Sequence, residues 1–398
     1  MRRLILSAIA VTFTAGGCAS LPAGTDAVVR SVAGLADADT LRSAEIVPGV
    51  THVQAHYRRG PWTMDIVEVD AAVCRPVLEA RKPAGSMAAR ALTTELAGGS
   101  IVAINADFFM LPGGTPVGAH VRDGVPWIGP TDRHVFVVTP EGEWRGGVAR
   151  LEGRAVVRGD TARLAQVNRA AAAFSAYRGT TDGLTLFTSR VDSVAADTTV
   201  AGPRIALRII AGDERSGAGV VTGSGPANTP AAVPAGAAVL LAHGEAGAWA
   251  ARRSAGDTVR WEARVVMPAR GDLGPAEAAE AVGAFPELLH DGRDVLDTQV
   301  VWPPFGVQRH PRTAVGWSAD GRRLFLVVVD GRQPPYSDGM SLSELAWLFQ
   351  RIGAAHAVNL DGGGSTAIVV RGELVNRPSD REGERSVGNA LALTGCDG

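Results

Sequence analysis

The 398-residue chain sets 39 Lys and Arg against 41 Asp and Glu, a formal net charge of -2. With both signs interspersed, no basic face is offered for recruiting nucleic acid, which excludes that partner class. The length suits one sizeable core, or two intimately joined subdomains, rather than a small module.

In chain order, the first feature is a leader. Arg2 and Arg3 precede an apolar run over 4–13, which ends at Ala15-Gly16-Gly17 before Cys18. Such a run is too short to span a bilayer of about 30 Å, and small residues directly before a cysteine are the mark of lipoprotein processing. Residues 1–18 therefore read as a lipoprotein signal peptide with Cys18 as the acylated residue. The expected location is extracytoplasmic, lipid-anchored to a bacterial membrane, in the periplasm or at the cell surface. No second apolar run reaches spanning length, so contact with the membrane would rest on lipid alone. Residues 19–44, rich in Ala, Gly, Ser and Asp without periodicity, read as a flexible tether, with order expected from near Glu45. Of the remaining cysteines, Cys74 and Cys396 are either one disulfide or two buried thiols, and their spacing does not suit a metal site.

From there, short apolar runs alternate with turn signals. Runs at 52–57, 63–69, 101–104 and 135–138 read as strands, and Pro140-Glu141-Gly142 as a turn. The Ala-, Gly- and Pro-rich stretch over 141–275 keeps strand-like pieces at 184–188, 205–210, 238–242 and 259–266, with 223–234 its most loop-like part. Beyond it, 313–317, Asp320-Gly321 and 324–329 form a β-hairpin pattern. A helix follows, signalled by a capping box at Ser341 and Glu344, by helical spacing of Leu342, Leu345, Ala346, Phe349 and Ile352, and by Gly353 as its stop. A buried strand over 357–360 then runs into Asp361-Gly362-Gly363-Gly364-Ser365-Thr366, and a last hairpin turns at Arg371-Gly372. The expected fold class is α+β, with strand-rich mixed sheets and a few helices, forming one catalytic domain over 45–396.

Three consecutive glycines after a strand bring backbone N–H groups close to a ligand, and such a loop can cradle an anion. It is not a nucleotide P-loop, because the lysine of that motif is missing. Three polar sets flank the same strands: His310-Pro311-Arg312-Thr313, Asp330-Gly331-Arg332 and Asn376-Arg377-Pro378-Ser379-Asp380. Strand ends are where a rigid scaffold presents polar groups, and paired arginines grip phosphate through bidentate hydrogen bonds. Glu384 and Arg385 read as a surface ion pair.

These sets, with Gly339-Met-Ser-Leu-Ser-Glu-Leu345 and Asn359-Leu-Asp-Gly-Gly-Gly-Ser-Thr366, closely resemble the phosphodiester glycosidase family. Weaker matches at Ile104-Asn-Ala-Asp-Phe-Phe109, at 118–124, at 184–188 and at Leu288-Leu-His-Asp-Gly292 extend the resemblance over about 45–395. One departure stands at Gly283-Ala284-Phe285-Pro286, where the family pattern is Gly-Gly-x-Pro; Ala284 would alter the pocket if that second glycine faces the sugar.

The resemblance implies cleavage of the glycosidic bond between a sugar, N-acetylglucosamine-like, and phosphate in a glycan phosphodiester. A departing phosphate is already a stable anion and hardly needs a general acid, so one carboxylate and a phosphate clamp suffice. Asp361, Asp330 and Asp107 are the expected catalytic carboxylates. Arg312 and Arg332, with Gly362, Gly363, Gly364 and Ser365, are expected on the phosphate, and Asn105 beside Asp107 on sugar hydroxyls or a cation. Arg377 joins this binding set, while His310 either contacts phosphate or caps a turn. The three aspartates offer oxygen ligands for calcium or magnesium, whereas no His or Cys spacing marks a zinc site. Two other readings use the same pocket: non-catalytic binding of phosphorylated cell-envelope glycan, and a phosphodiesterase that attacks phosphorus.

Overall fold

A computed structural model describes residues 33–83, 85–169, 182–195 and 203–397. The expected leader, its Cys18 and most of the expected tether lie outside the described residues. Order begins ahead of Glu45: the first strand starts at Thr40, and Leu35 is buried against the helix Leu342–Ile352.

The central sheet has eight strands in the order Thr40–Val47, Val50–Tyr57, Trp62–Asp70, Arg323–Val329, Arg312–Trp317, His356–Asn359, Glu287–His290, Arg293–Asp294, every neighbour antiparallel. The expected hairpin is present, with Arg312 opposite Val329. Successive residues of Arg323–Val329 face opposite sides, since side chains alternate along a strand. Phe325, Val327 and Val329 meet Leu345, Phe349 and Ile352 of the helix, while Leu324, Leu326 and Val328 meet Val102, Ile104 and Leu391. Burial on both faces explains why this strand reads as an unbroken apolar run. The helix keeps its expected signals: the Ser341 hydroxyl accepts from the Glu344 N–H, Glu344 returns the bond, and Gly353 closes it at φ +90°.

On the face away from the helix lies a five-stranded sheet, ordered Glu373–Leu374, Ile368–Val370, Val102–Asn105, Ala390–Asp397, Arg75–Arg81. Cys74 and Cys396 form a disulfide there, with alpha carbons 4.7 Å apart, tying early chain to late. A second five-stranded sheet includes Glu280–Gly283 between His120–Arg122 and His134–Val138.

The Ala- and Gly-rich middle of the chain is a closed barrel. Strands Arg150–Val157, Asp160–Val167, Gly183–Thr188, Ala237–His243, Pro203–Gly212, Ser216–Pro226 and Thr258–Met267 follow one another, and the last pairs back with the first. Asp160–Val167 and Gly183–Thr188 run parallel, so this sheet is mixed. Part of the segment read as loop-like, 223–226, is strand. Earlier in the same strand Gly217 has a packing reason, because a side chain there would strike the buried Trp261 indole. The strand-rich expectation with few helices thus holds; the helical share is minor, its longest described member being Leu342–Ile352.

Candidate active site

Strands from two sheets end on one side of the molecule and place Asp361 there. Its N–H donates to the Ala106 carbonyl at 2.8 Å, and its carbonyl accepts from Asn105 Nδ2 at 2.7 Å. The three glycines that follow answer three different constraints. A Cβ at Gly362 would come within 2.5 Å of the Pro311 carbonyl oxygen, and Gly363 has φ +64°, a conformation that favours glycine. At Gly364 a side chain would collide with the Asp380 carboxylate and the Arg385 guanidinium, which pair at 2.7 Å.

Arg332 lies over this loop, its guanidinium nitrogens 3.2 Å from where a Gly363 Cβ would stand, and Nη2 is 3.2 Å from His310 Nδ1. It forms no ion pair within 4.0 Å of a carboxylate among the described residues, and its charge acts on Asp361 at longer range. Burial and then the neighbouring Arg312 and Arg332 hold the His310 imidazole below its ordinary pKa, which keeps it neutral. The Asp361 carboxyl is pushed up to about 6 by burial, against the opposing pull of Ser365, Arg385, the Gly362 N–H and Arg332.

Asp107 joins the site from the loop after Val102–Asn105. Burial pushes its carboxyl up to about 7; the Gly118 N–H, which donates to Oδ2 at 2.6 Å, and the cations Arg169 and Arg133 pull it down, and the Asp361 charge pushes it up. Its Oδ1 is buried with no hydrogen-bond partner among the described residues. Gly283 packs flat against this carboxylate, where any Cβ would collide with it. Aromatic rings border the site: Phe108 and Phe305 meet at 6.0 Å, and the Arg133 guanidinium sits 5.6 Å from the Phe108 ring and 5.0 Å from Phe285.

Four expected site residues are used otherwise. The Asp330 carboxylate accepts from Asn376 Nδ2 at 3.0 Å, the Tyr336 hydroxyl at 2.9 Å and the Arg377 N–H at 3.1 Å, so its oxygens hold the segment after the last hairpin and are not left for reaction. Buried Arg312 donates to the carbonyls of Met340, Phe305 and Gln308 at 2.8, 2.7 and 3.1 Å, and fixes the 303–310 segment instead of a phosphate. Asn105 is consumed in the same way: besides holding Asp361, its Oδ1 accepts from the Thr313 hydroxyl at 2.7 Å and the Ala367 N–H at 3.1 Å. Arg377 lies over the Tyr336 ring. With Asp330 enclosed, Asp107, Asp330 and Asp361 do not come together as a group that could hold a cation. Ala284 faces the core, where it is 1 % exposed, so the departure from Gly-Gly-x-Pro leaves the pocket unchanged. Glu384 and Arg385 are not a pair: Glu384 accepts from the Thr94 N–H and hydroxyl at 2.9 and 2.7 Å, while Arg385 binds Asp380 beside Gly364.

Asp380, Arg385, Arg133 and Arg169 were not legible as site residues. Only Asp380 lay inside a motif, and Arg133 and Arg169 sit in stretches without one. Gly283 could have been found, since a glycine ending an apolar run just ahead of Pro286 signals close backbone approach.

Residues 215–394 match the phosphodiester glycosidase family. A Bacillus subtilis protein, the SPbeta prophage-derived uncharacterized protein YomE, is 35% identical over 107 residues, which are 27% of this chain and 16% of that one. Mouse N-acetylglucosamine-1-phosphodiester alpha-N-acetylglucosaminidase is 41% identical over 69 residues, 17% of this chain and 13% of the relative. A crystal structure of a hypothetical protein from Synechocystis shares the fold, with a TM-score of 0.68 at 22% identity, covering 90% of this chain and 64% of that one. The chain thus spans less than two thirds of the length of each of these relatives. The matched segment, 180 of the 398 residues, holds His310, Arg332 and the Asp361 loop, so the likeness to the phosphodiester glycosidase family falls on the part of the chain that carries the candidate site.

Proposed function

We propose that this protein is a hydrolase that cuts the bond between a sugar, N-acetylglucosamine-like, and the phosphate of a glycan phosphodiester. The observation that carries the reading is the placement of Arg332, His310 and the open glycine loop beside the Asp361 carboxylate, within the family-matched segment. The phosphate would rest on the Arg332 guanidinium and the loop, where the charge developing on the leaving oxygen is met by preorganised donors. Asp361, ionised at neutral pH, would face the anomeric carbon as nucleophile or as base toward water. Asp107, with a carboxyl near 7, would hold a sugar hydroxyl or share a proton with that water. Water's hydroxyl ends on C1 and its remaining proton on the released phosphomonoester. The Cys74–Cys396 disulfide fits the oxidising compartment that an anchor at Cys18 would impose.

Hydrolysis of an N-acetylglucosamine-1-phosphate diester in oxygen-18 water tests the proposal. Label in the released sugar is expected. Label in phosphate would mean attack at phosphorus, and binding without turnover would mean a glycan-binding protein; either outcome overturns the reading.

A further inference from the structure

Away from Asp361, at the edge of the central sheet, the fold assembles a group of side chains that the proposed reaction does not use. The strand Glu287–His290 turns through Asp291 and Gly292, at φ +48° and +75°, into Arg293–Asp294. This tight turn sets the Asp291 carboxylate between two imidazoles from neighbouring strands. His290 Nε2 is 3.5 Å from one carboxylate oxygen and His356 Nε2 is 3.6 Å from the other. Both separations exceed an ordinary hydrogen bond. They match the roughly 3.4 Å expected between ligand atoms that each sit about 2.1 Å from one tetrahedral ion. One ligand atom from each of the three residues lies within 4.8 Å of the others.

The surroundings are built for ligation. The His356 ring stacks on Trp317 at 5.3 Å and 21°, which fixes its plane, and the His290 ring stands edge-on to it at 5.3 Å. Behind His290, Glu287 Oε1 lies 3.2 Å from Nδ1 and is itself held by Arg270 at 2.9 Å.

We propose that His290, Asp291 and His356 bind one divalent transition-metal ion of the zinc class, stapling the Asp291 turn to the strand His356–Asn359. Two imidazoles and a carboxylate suit zinc, cobalt or nickel over calcium or magnesium. Asp291 is three-quarters exposed on its side chain, so water reaches the fourth position. The site is separate from the one that carries the proposed reaction: His356 opens the strand whose far end leads to Asp361, roughly 16 Å away at about 3.3 Å per residue.

The test uses the full chain stripped with a chelator. Added cobalt(II) should give the intense visible absorption of four-coordinate cobalt, saturating at one equivalent and displaced by zinc, and zinc should raise the thermal midpoint. His356→Gln and His290→Gln should each weaken binding at least about tenfold, as loss of a ligand does. Asp291→Asn, at an exposed position whose φ of +48° asparagine tolerates, should keep the fold and also lose the four-coordinate spectrum. Absence of stoichiometric binding to the unaltered protein, or binding that survives Asp291→Asn and the double histidine variant, would overturn the proposal.

Discussion

The closed barrel over 150–267 and the stacked sheets around Asp361 are built from the same kind of strand, yet they differ in what their strand ends carry. In the barrel, pairing of Arg150–Val157 with Thr258–Met267 removes both sheet edges, and the interior fills with Leu151, Leu164, Leu186, Leu240 and Trp261. Closure spends its side chains on packing. In the stacked sheets, strands from different layers end on the same side, so polar residues from distant parts of the sequence meet there: Asp107, Arg332 and Asp361. The barrel touches this site through Arg169, just past Asp160–Val167, which donates to the Gly118 and Gly129 carbonyls at 2.6 and 2.9 Å. Chemistry on this scaffold therefore follows the convergence of strand ends and not strand content.

Breaking that convergence at its centre should have the largest effect. Asp361→Asn is expected to lower kcat/KM on a sugar-phosphate diester by about a thousandfold, near 4 kcal/mol, with the thermal midpoint unchanged; a fall of less than tenfold would remove Asp361 from the reaction. Arg312→Ala, by contrast, should cost about 3 kcal/mol of folding stability, because it removes a buried side chain and its three hydrogen bonds to the carbonyls of Met340, Phe305 and Gln308. Denaturant unfolding measures this, and an unchanged midpoint would mean that the carbonyls find other donors. Arg332→Ala is the sharpening partner: near-native stability with about a thirtyfold loss in kcat/KM, as expected for a partly exposed phosphate contact. Equal behaviour of the two arginine variants would erase the distinction between the buried tie and the clamp.

The smallest effect is on pH. Because burial pushes the Asp361 carboxyl up to about 6, the ionised form needed for reaction is lost as pH falls through that value. The kcat/KM profile should bend near pH 6 and drop about tenfold from pH 7 to pH 5. Arg332→Ala should move the bend upward, since Arg332 favours the ionised carboxylate. A profile flat from pH 7 to pH 5 would exclude Asp361 as the ionising group.

By itself, the sequence determined what is written in local pattern. Alternation and capping signals placed the hairpin 313–329 and the helix Leu342–Ile352, and a strand running into three glycines marked the loop at Asp361, because backbone conformation and face burial act over a few residues. The motifs also brought the right segments forward, His310 to Thr313, Asp330 to Arg332 and Asp361 to Thr366. Only the tertiary structure decided which side chains in them face the cleft. Arg312 and Arg332 look alike in sequence, yet one begins a strand and turns inward to three carbonyls, while the other, at φ +60°, projects over Gly363. Asp330 and Asp361 likewise part company, since the donors that enclose Asp330 come from Tyr336, Asn376 and Arg377. The barrel closure, the Asp380–Arg385 pair beside Gly364 and the meeting of His290 with His356 have no local signature. They depend on strand order, and strand order is settled by how sheets bury their faces together.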